Sequence, residues 1–288
     1  MFKNTKVNDK YIKSLKNIYD NYYEKCNITT EELAKILNLN IWFINEYPDW
    51  YYINDKLYYY KDYTIFNELF LSELIKEFKL KSVKYELVKN SNMIGIISES
   101  FRNSNNKYYD YCSYFNNKRV QVPRKLINLD QTFNNILDEE NKIKLMNKIY
   151  RLASFDIFCG QNDRSDGNLV FVENNNKISL SPIFDNGCAF IDKYNYDSSF
   201  DNLFMPEKSH KGIIDNYNLY LFKLINNNKV FYKCLTKALD IDVKEILKRT
   251  IEKYHLVVPF KDKRELINFF DKRKDRIEYT LTLTDKYK

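Results

Sequence analysis

The run from Asp156 to Gly187 constrains this chain more than any other part of it. It reads Asp-Ile-Phe-Cys-Gly-Gln-Asn-Asp-Arg-Ser-Asp-Gly-Asn, then Leu-Val-Phe-Val-Glu, Asn-Asn-Asn-Lys, and Ile-Ser-Leu-Ser-Pro-Ile-Phe-Asp-Asn-Gly. Three of the five glycines in the chain, Gly160, Gly167 and Gly187, fall inside it. The two apolar runs are β-prone, and the Asn-rich tip between them tolerates the positive φ that a tight turn needs, so the spacing predicts a β-hairpin.

Folding that hairpin about Asn176 brings Asn168, ahead of the first strand, close to Asp185, after the second. An amide oxygen and a carboxylate then meet at one end of a two-stranded ribbon. Mg²⁺ takes oxygen ligands, few from protein and the rest from water and phosphate. Asp163 precedes Asn168 by five residues, on the glycine-containing loop that enters the same end. An Asp five residues before an Asn, a hairpin, and then Asp-x-Gly are the parts of a phosphoryl-transfer site. Acid-rich loops before hairpins also occur as plain solvated turns. The joint occurrence with Pro-Ile-Phe-Asp-x-Gly favours the chemical reading.

Gly160-Gln161-Asn162-Asp163 with Asn168 resembles the catalytic loop of HipA-like kinases, Gly-Asn-x-Asp-x-His-x-x-Asn. Ser181-Pro182-Ile183-Phe184-Asp185 is similar to their Pro-x-Tyr-Asp metal segment. Asp163-Arg164 with Asn168 is also similar to the Asp-Arg-His-x-x-Asn loop of phosphoinositide-type and spore-coat kinases. The resemblance implies Asp163 as catalytic base and Asn168 and Asp185 as Mg²⁺ ligands. Ser165 stands where both families carry His.

Upstream, Lys61 ends an aromatic hairpin, Trp50–Ile53 and Leu57–Tyr60, and Glu68 lies early in the helix traced by Phe66, Leu69, Phe70, Leu74 and Phe78. A Lys ending a strand and a Glu in the next helix can pair so that the Lys is aimed at nucleotide phosphates. Asn67-Glu68 matches the Asn-Glu dipeptide of HipA-like sequences. A further hairpin spans Ser82–Lys89 and Met93–Ser98. By the same resemblance, the chain crosses between lobes at Glu99-Ser100-Phe101, beside the adenine of ATP. The first glycine is Gly95, so no glycine cradle precedes the Lys61 strand.

Elsewhere the pattern is helical. Tyr11, Ile12, Leu15, Ile18, Tyr19 and Tyr22 predict an amphipathic helix over 8–24. Thr29-x-x-Glu32 is a capping box opening a second helix, and a third starts at Ile41 and ends by Pro48. Residues 29–47 resemble a helix-turn-helix, but Ile41, Trp42, Phe43 and Ile44 on its second helix want burial, which favours a packed cap over a DNA reader. Residues 102–125 read as a loop or insertion. A long buried helix then delivers the 160–168 loop, with Asp156 near its end either orienting that loop or merely facing the helix terminus. Residues 188–212 stand where an activation segment would. Helices are expected at 213–225, 230–239, 243–254 and 263–279, the last with the basic run Lys272-Arg273-Lys274 as a solvated face.

A net charge of +7, from 46 basic against 39 acidic residues, suits an anionic partner such as a nucleotide without making a continuous nucleic-acid footprint. Five scattered cysteines with no Cys-x-x-Cys, and only two histidines, argue against zinc and for reduced thiols in the cytoplasm. Met1–Lys16 is too polar for a secretory leader, and no apolar run approaches the roughly 20 residues of a membrane span. The expectation is an α+β, bilobal protein-kinase-like fold: a helical cap at 1–48, a small β-rich lobe at 49–101 and a mostly helical lobe at 102–288. Its partners would be ATP, Mg²⁺ and a protein substrate carrying Ser or Thr. The family resemblance adds a toxin–antitoxin or phage-defence setting with an antitoxin-like or other regulatory partner. The alternatives are a pseudokinase scaffold, favoured by Ser165 and the missing glycine loop, and a DNA-binding regulator with a kinase-like body.

Overall fold

The structure is a computed structural model. It describes residues 5–8, 10, 12–14, 50–53, 56–90, 93–103, 105–123, 126–161, 163–164, 166–190, 223–226 and 228–284. Two short strands, β1 (Lys6–Val7) and β2 (Lys13–Ser14), precede the aromatic hairpin β3 (Trp50–Ile53) and β4 (Lys56–Lys61). Helix α1 (Ile65–Leu74) continues as a 3-10 turn, Ile75–Phe78, and the next hairpin is β5 (Tyr85–Asn90) and β6 (Met93–Glu99). These strands form one sheet in the order β2-β5-β6-β4-β3.

Helix α1 is apolar on nearly every side, and Phe66, Leu69, Phe70, Leu71 and Leu74 are all buried. A helix of that kind belongs inside a core rather than on a surface. Glu68 is buried with them at 0% exposure, which commits the fold to supplying a cation for it. Gly95 in β6 exists for packing: a Cβ there would lie 2.3 Å from the Tyr60 ring of the neighbouring strand.

The remaining elements are β7 (Lys107–Asp110), α2 (Tyr111–Asn117), α3 (Leu126–Asn134), α4 (Glu139–Cys159), the hairpin β8 (Val170–Asn174) and β9 (Lys177–Leu180), α5 (Lys229–Leu239), α6 (Val243–Tyr254), β10 (Leu256–Val257) and α7 (Phe260–Thr282). Side-chain caps define several starts: Asp138, Asn228 and Asp242 each accept from the backbone N–H three residues on. The β8–β9 hairpin closes through Asn175 and Asn176, at φ 47° and 61°. A two-residue turn with both positions left-handed matches the twist of the strands it joins, and Asn accepts it readily. No helix among the described residues is long and apolar enough to cross a membrane.

Two local expectations are corrected. Lys13 and Ser14, assigned from periodicity to a helix, form β2 and pair in parallel with Val88 and Lys89 of β5. Residues 102–125, read as a loop, contain β7 and α2. β7 pairs with β8, and Asp110 caps α2 by accepting from Ser113 N. In both places a distant strand edge overrides the local pattern. The rest of the predicted 8–24 helix, the helix-turn-helix-like 29–47, Ser165 and most of 188–212 and 213–225 lie outside the described residues.

Phe171 of β8 fixes the hairpin to the helical part, with its ring 4.8 Å from Tyr114 and about 6 Å from Tyr111, Phe115 and Phe133. Phe171→Ala should destabilise the protein by about 3–5 kcal/mol, read from the urea unfolding midpoint.

Candidate functional site

Lys61 is the last residue of β4, and its Nζ lies 2.7 Å from Glu68 Oε1 and 2.7 Å from Asp185 Oδ1. The Lys61 side chain is 7% exposed. Burial works to strip its proton, but the two carboxylates outweigh that and hold its pKa above the ordinary lysine range. The second oxygen of Glu68 accepts from Tyr85 OH at 2.9 Å and from Asn186 N at 3.0 Å. Beside it, Asn67 Nδ2 donates to Gly187 O at 2.7 Å. Asn67 and Glu68 therefore both grip the 185–187 segment. Gly187 permits the approach, since a Cβ there would sit 2.4 Å from Thr64 Oγ1 and 3.1 Å from Lys61 Nζ.

The 160–168 loop is organised by Arg164, which is 1% exposed. Its Nε and NH2 donate to the two oxygens of Asp156 at 3.0 Å each. NH1 donates to Asn168 O at 3.2 Å and Phe184 O at 3.1 Å, and NH2 also to Asn186 Oδ1 at 2.8 Å. All five guanidinium donors are thereby used, as a buried Arg requires and a Lys could not achieve. One side chain thus ties the end of α4, the loop and the hairpin exit together. Of the two readings of Asp156, the structure selects the one that orients the loop. Burial pushes its carboxyl up, and Arg164 opposes that shift.

Asp163 is half-buried, and Asn168 Nδ2 donates to its carbonyl at 3.0 Å and its Oδ2 at 3.3 Å. That donation turns the amide so that Asn168 Oδ1 remains an acceptor. Asp185 gives Oδ1 to Lys61 and keeps Oδ2. Its backbone is left-handed, φ 52°, a conformation that is sparsely populated outside glycine and is held here by Gln161 Nε2 donating to Asp185 O at 3.0 Å. Among the described residues there is no cluster of three or more His, Cys, Asp or Glu. Two hard oxygens at the convergent ends of a hairpin are a donor set that fits Mg²⁺, which keeps most of its water.

The structure joins Lys61, Glu68 and Asp185 directly, and Asp163 with Asn168 directly. The Phe101 ring lies 5.5 Å from Phe184, the neighbour of Asp185, and 6.1 Å from Tyr108. The Glu99 carboxylate is exposed and pairs with Lys56 at 3.0 Å. Arg164, Gln161, Tyr85 and Asn186 went unassigned in the sequence. Only the Asp-Arg pair at 163–164 carried a signal for any of them.

Arg164→Met would leave the Asp156 carboxylate buried without a partner, and should cost about 3–5 kcal/mol near pH 8 by urea unfolding. An unpaired buried carboxyl has its folded pKa raised above the unfolded value. The state that folds well is therefore the protonated one, and the penalty should shrink as pH falls towards about 4.

No protein-family model matches the chain, and no curated protein does. Among solved structures, the proinflammatory kinase CtkA of Helicobacter pylori matches with TM-score 0.60 and 20% identity, over 82% of this chain and 94% of that one. A chain of the Shewanella oneidensis toxin–antitoxin complex of HipA, HipB and operator DNA matches with TM-score 0.53 and 14% identity, over 81% of this chain and 60% of that one. The chain has the α+β, kinase-like fold of these structures.

Proposed function

We propose that this protein is a HipA-like kinase that transfers the γ-phosphate of ATP to a Ser or Thr hydroxyl on a protein. The observation that carries the reading is Lys61 Nζ at 2.7 Å from both Glu68 and Asp185, one cation fixed by carboxylates from a helix and from the hairpin exit. An ammonium has three donors, and these two bonds leave the third for a phosphate oxygen. Asn168 and Asp185 would hold Mg²⁺, which neutralises charge on the phosphate oxygens when bound. Asp163 orients the acceptor hydroxyl and takes its proton as the oxygen attacks. Asn168, donating to the Asp163 backbone and carboxylate, keeps that base in place. Positioning and charge compensation do most of the work in such chemistry.

The domain reading that goes with this is a cap at 1–48, a small lobe at 49–101 and a large lobe at 102–288, with adenine at the 99–101 crossing. The carboxylate of Glu99 faces Lys56, so the backbone there and the Phe101 ring are the groups offered to the base. The HipA neighbour, solved with HipB and operator DNA as a toxin–antitoxin system, supports a toxin–antitoxin setting with a regulatory partner for this chain, and the family resemblance adds phage defence as the other setting. A second reading, a pseudokinase, is favoured by the position of Gly95, which serves packing beneath Tyr60 and leaves no glycine cradle before Lys61.

With radiolabelled ATP, Asp163→Ala should lower transfer by about 10²–10⁴-fold while ATP still binds. Absence of any transfer by the wild type, autophosphorylation included, would select the pseudokinase. By calorimetry, Asp185→Asn should weaken Mg²⁺-dependent ATP binding by about tenfold or more, roughly the worth of one lost charge-assisted contact. Equal affinities would remove Asp185 as a metal ligand.

A further inference from the structure

A cavity of about 340 Å³ is lined by none of the residues of the Lys61–Glu68–Asp185 cluster. It opens between α4, α5 and the 3-10 turn that follows α1. Its walls carry four cations, Lys79 from the turn, Arg151 from α4, and Lys233 and Lys237 from α5, over an apolar floor that includes Phe78 and Ile241. The one carboxylate on its wall, Glu77, pairs with Arg249 at 3.4 Å. Among the described residues, none of the four cations forms an ion pair, although Lys237 Nζ donates to Glu77 O at 2.8 Å.

This arrangement is unfavourable for an isolated fold. Lys233 and Lys237 are one helical turn apart, a spacing at which like charges destabilise a helix. On α4, Lys148 is held below the ordinary lysine range by burial and then by the charges of Lys81 and Arg151. Four cations thus border one half-open space against the single carboxylate of Glu77, which is turned to Arg249. The volume falls within the range of small-molecule sites. An extended acidic peptide spreads its charges at one side chain per residue, whereas phosphate groups concentrate several in a compact unit. Lys acts on phosphate as a point charge, and Arg by its fork.

We infer that this cavity is a second binding site, for a small phosphate-bearing polyanion of the di- or triphosphate class, with the apolar floor receiving whatever the phosphates are attached to. The site stands independently of the kinase reading. Cys234 lines the cavity, while Cys188 adjoins Asp185 through Asn186 and Gly187, so each thiol reports on one place.

The test is maleimide labelling of the full chain with tripolyphosphate as probe, read by peptide mass spectrometry. Tripolyphosphate should slow labelling of Cys234, less so as salt is raised. The double variant Arg151→Gln/Lys233→Gln should need about tenfold more tripolyphosphate for the same protection. Lys233→Arg, which keeps the charge, should behave as wild type and separates lost binding from lost folding. No protection of Cys234, or protection confined to Cys188, overturns the proposal. So does undiminished protection in the double variant. Protection of Cys234 by hexaglutamate at lower concentration than tripolyphosphate would make the occupant an acidic peptide and overturn the ligand class. Loss of phosphotransfer in Asp163→Ala bears on none of these outcomes.

Discussion

An ammonium group taken out of water has to be compensated, and Lys61 is compensated twice. Glu68 reaches it from α1 and Asp185 from the end of the β8–β9 hairpin, 124 residues away along the chain. Since Glu68 is itself fully buried, neither ion is tolerable without the other. The three charges therefore fix the distance between the sheet, the buried helix and the hairpin exit. Along the same seam Asn67 adds a neutral bond to Gly187 O, and the Asn186 N–H a charge-assisted one to Glu68. The seam is closed further back by Val83 N and Ile183 N, which exchange bonds with Ile183 O and Lys81 O.

Arg164 does for the 160–168 loop what Lys61 does for the sheet, the buried helix and the hairpin exit. Its guanidinium is buried beside Asp156, and burial, which would lower its pKa, is outweighed by that carboxylate. Because every donor is used, the loop carbonyl at Asn168 and the hairpin carbonyl at Phe184 are held against the same nitrogen. This is the physical reason that the backbone entering the hairpin at Asn168 and the backbone leaving it at Phe184 come together. Asp163 and Asp185 keep partial exposure, while Arg164 and Glu68 beneath them are buried. Gln161 and the hydrogen bonds of the 184–186 segment hold Asp185 in a conformation it would not choose alone.

The protein also separates two kinds of positive charge. Lys61 and Arg164 are buried and matched within the fold. The cations of the α4–α5 cavity are half-exposed or exposed and unmatched by described carboxylates, which is the state of charges left for something else to meet.

What the sequence determined by itself was local. Asn at two turn positions, Lys at a strand end, Glu early in an apolar helix and Asp-Arg before Asn are short-range patterns whose consequences follow from dihedral preference and burial. They were enough to predict the β8–β9 turn, the helix carrying Glu68 and the Lys61–Glu68 pair. Tertiary structure alone decided what meets across long separations. β2 pairs with β5 and β7 with β8 because edge backbone groups must be satisfied, whatever the local periodicity. The pairing of β4 with β6 brings exposed Lys56 within 3.0 Å of Glu99. Arg164 took five acceptors from four residues, a condition set by desolvation and invisible in spacing, because only the folded interior removes the water that would otherwise have met it.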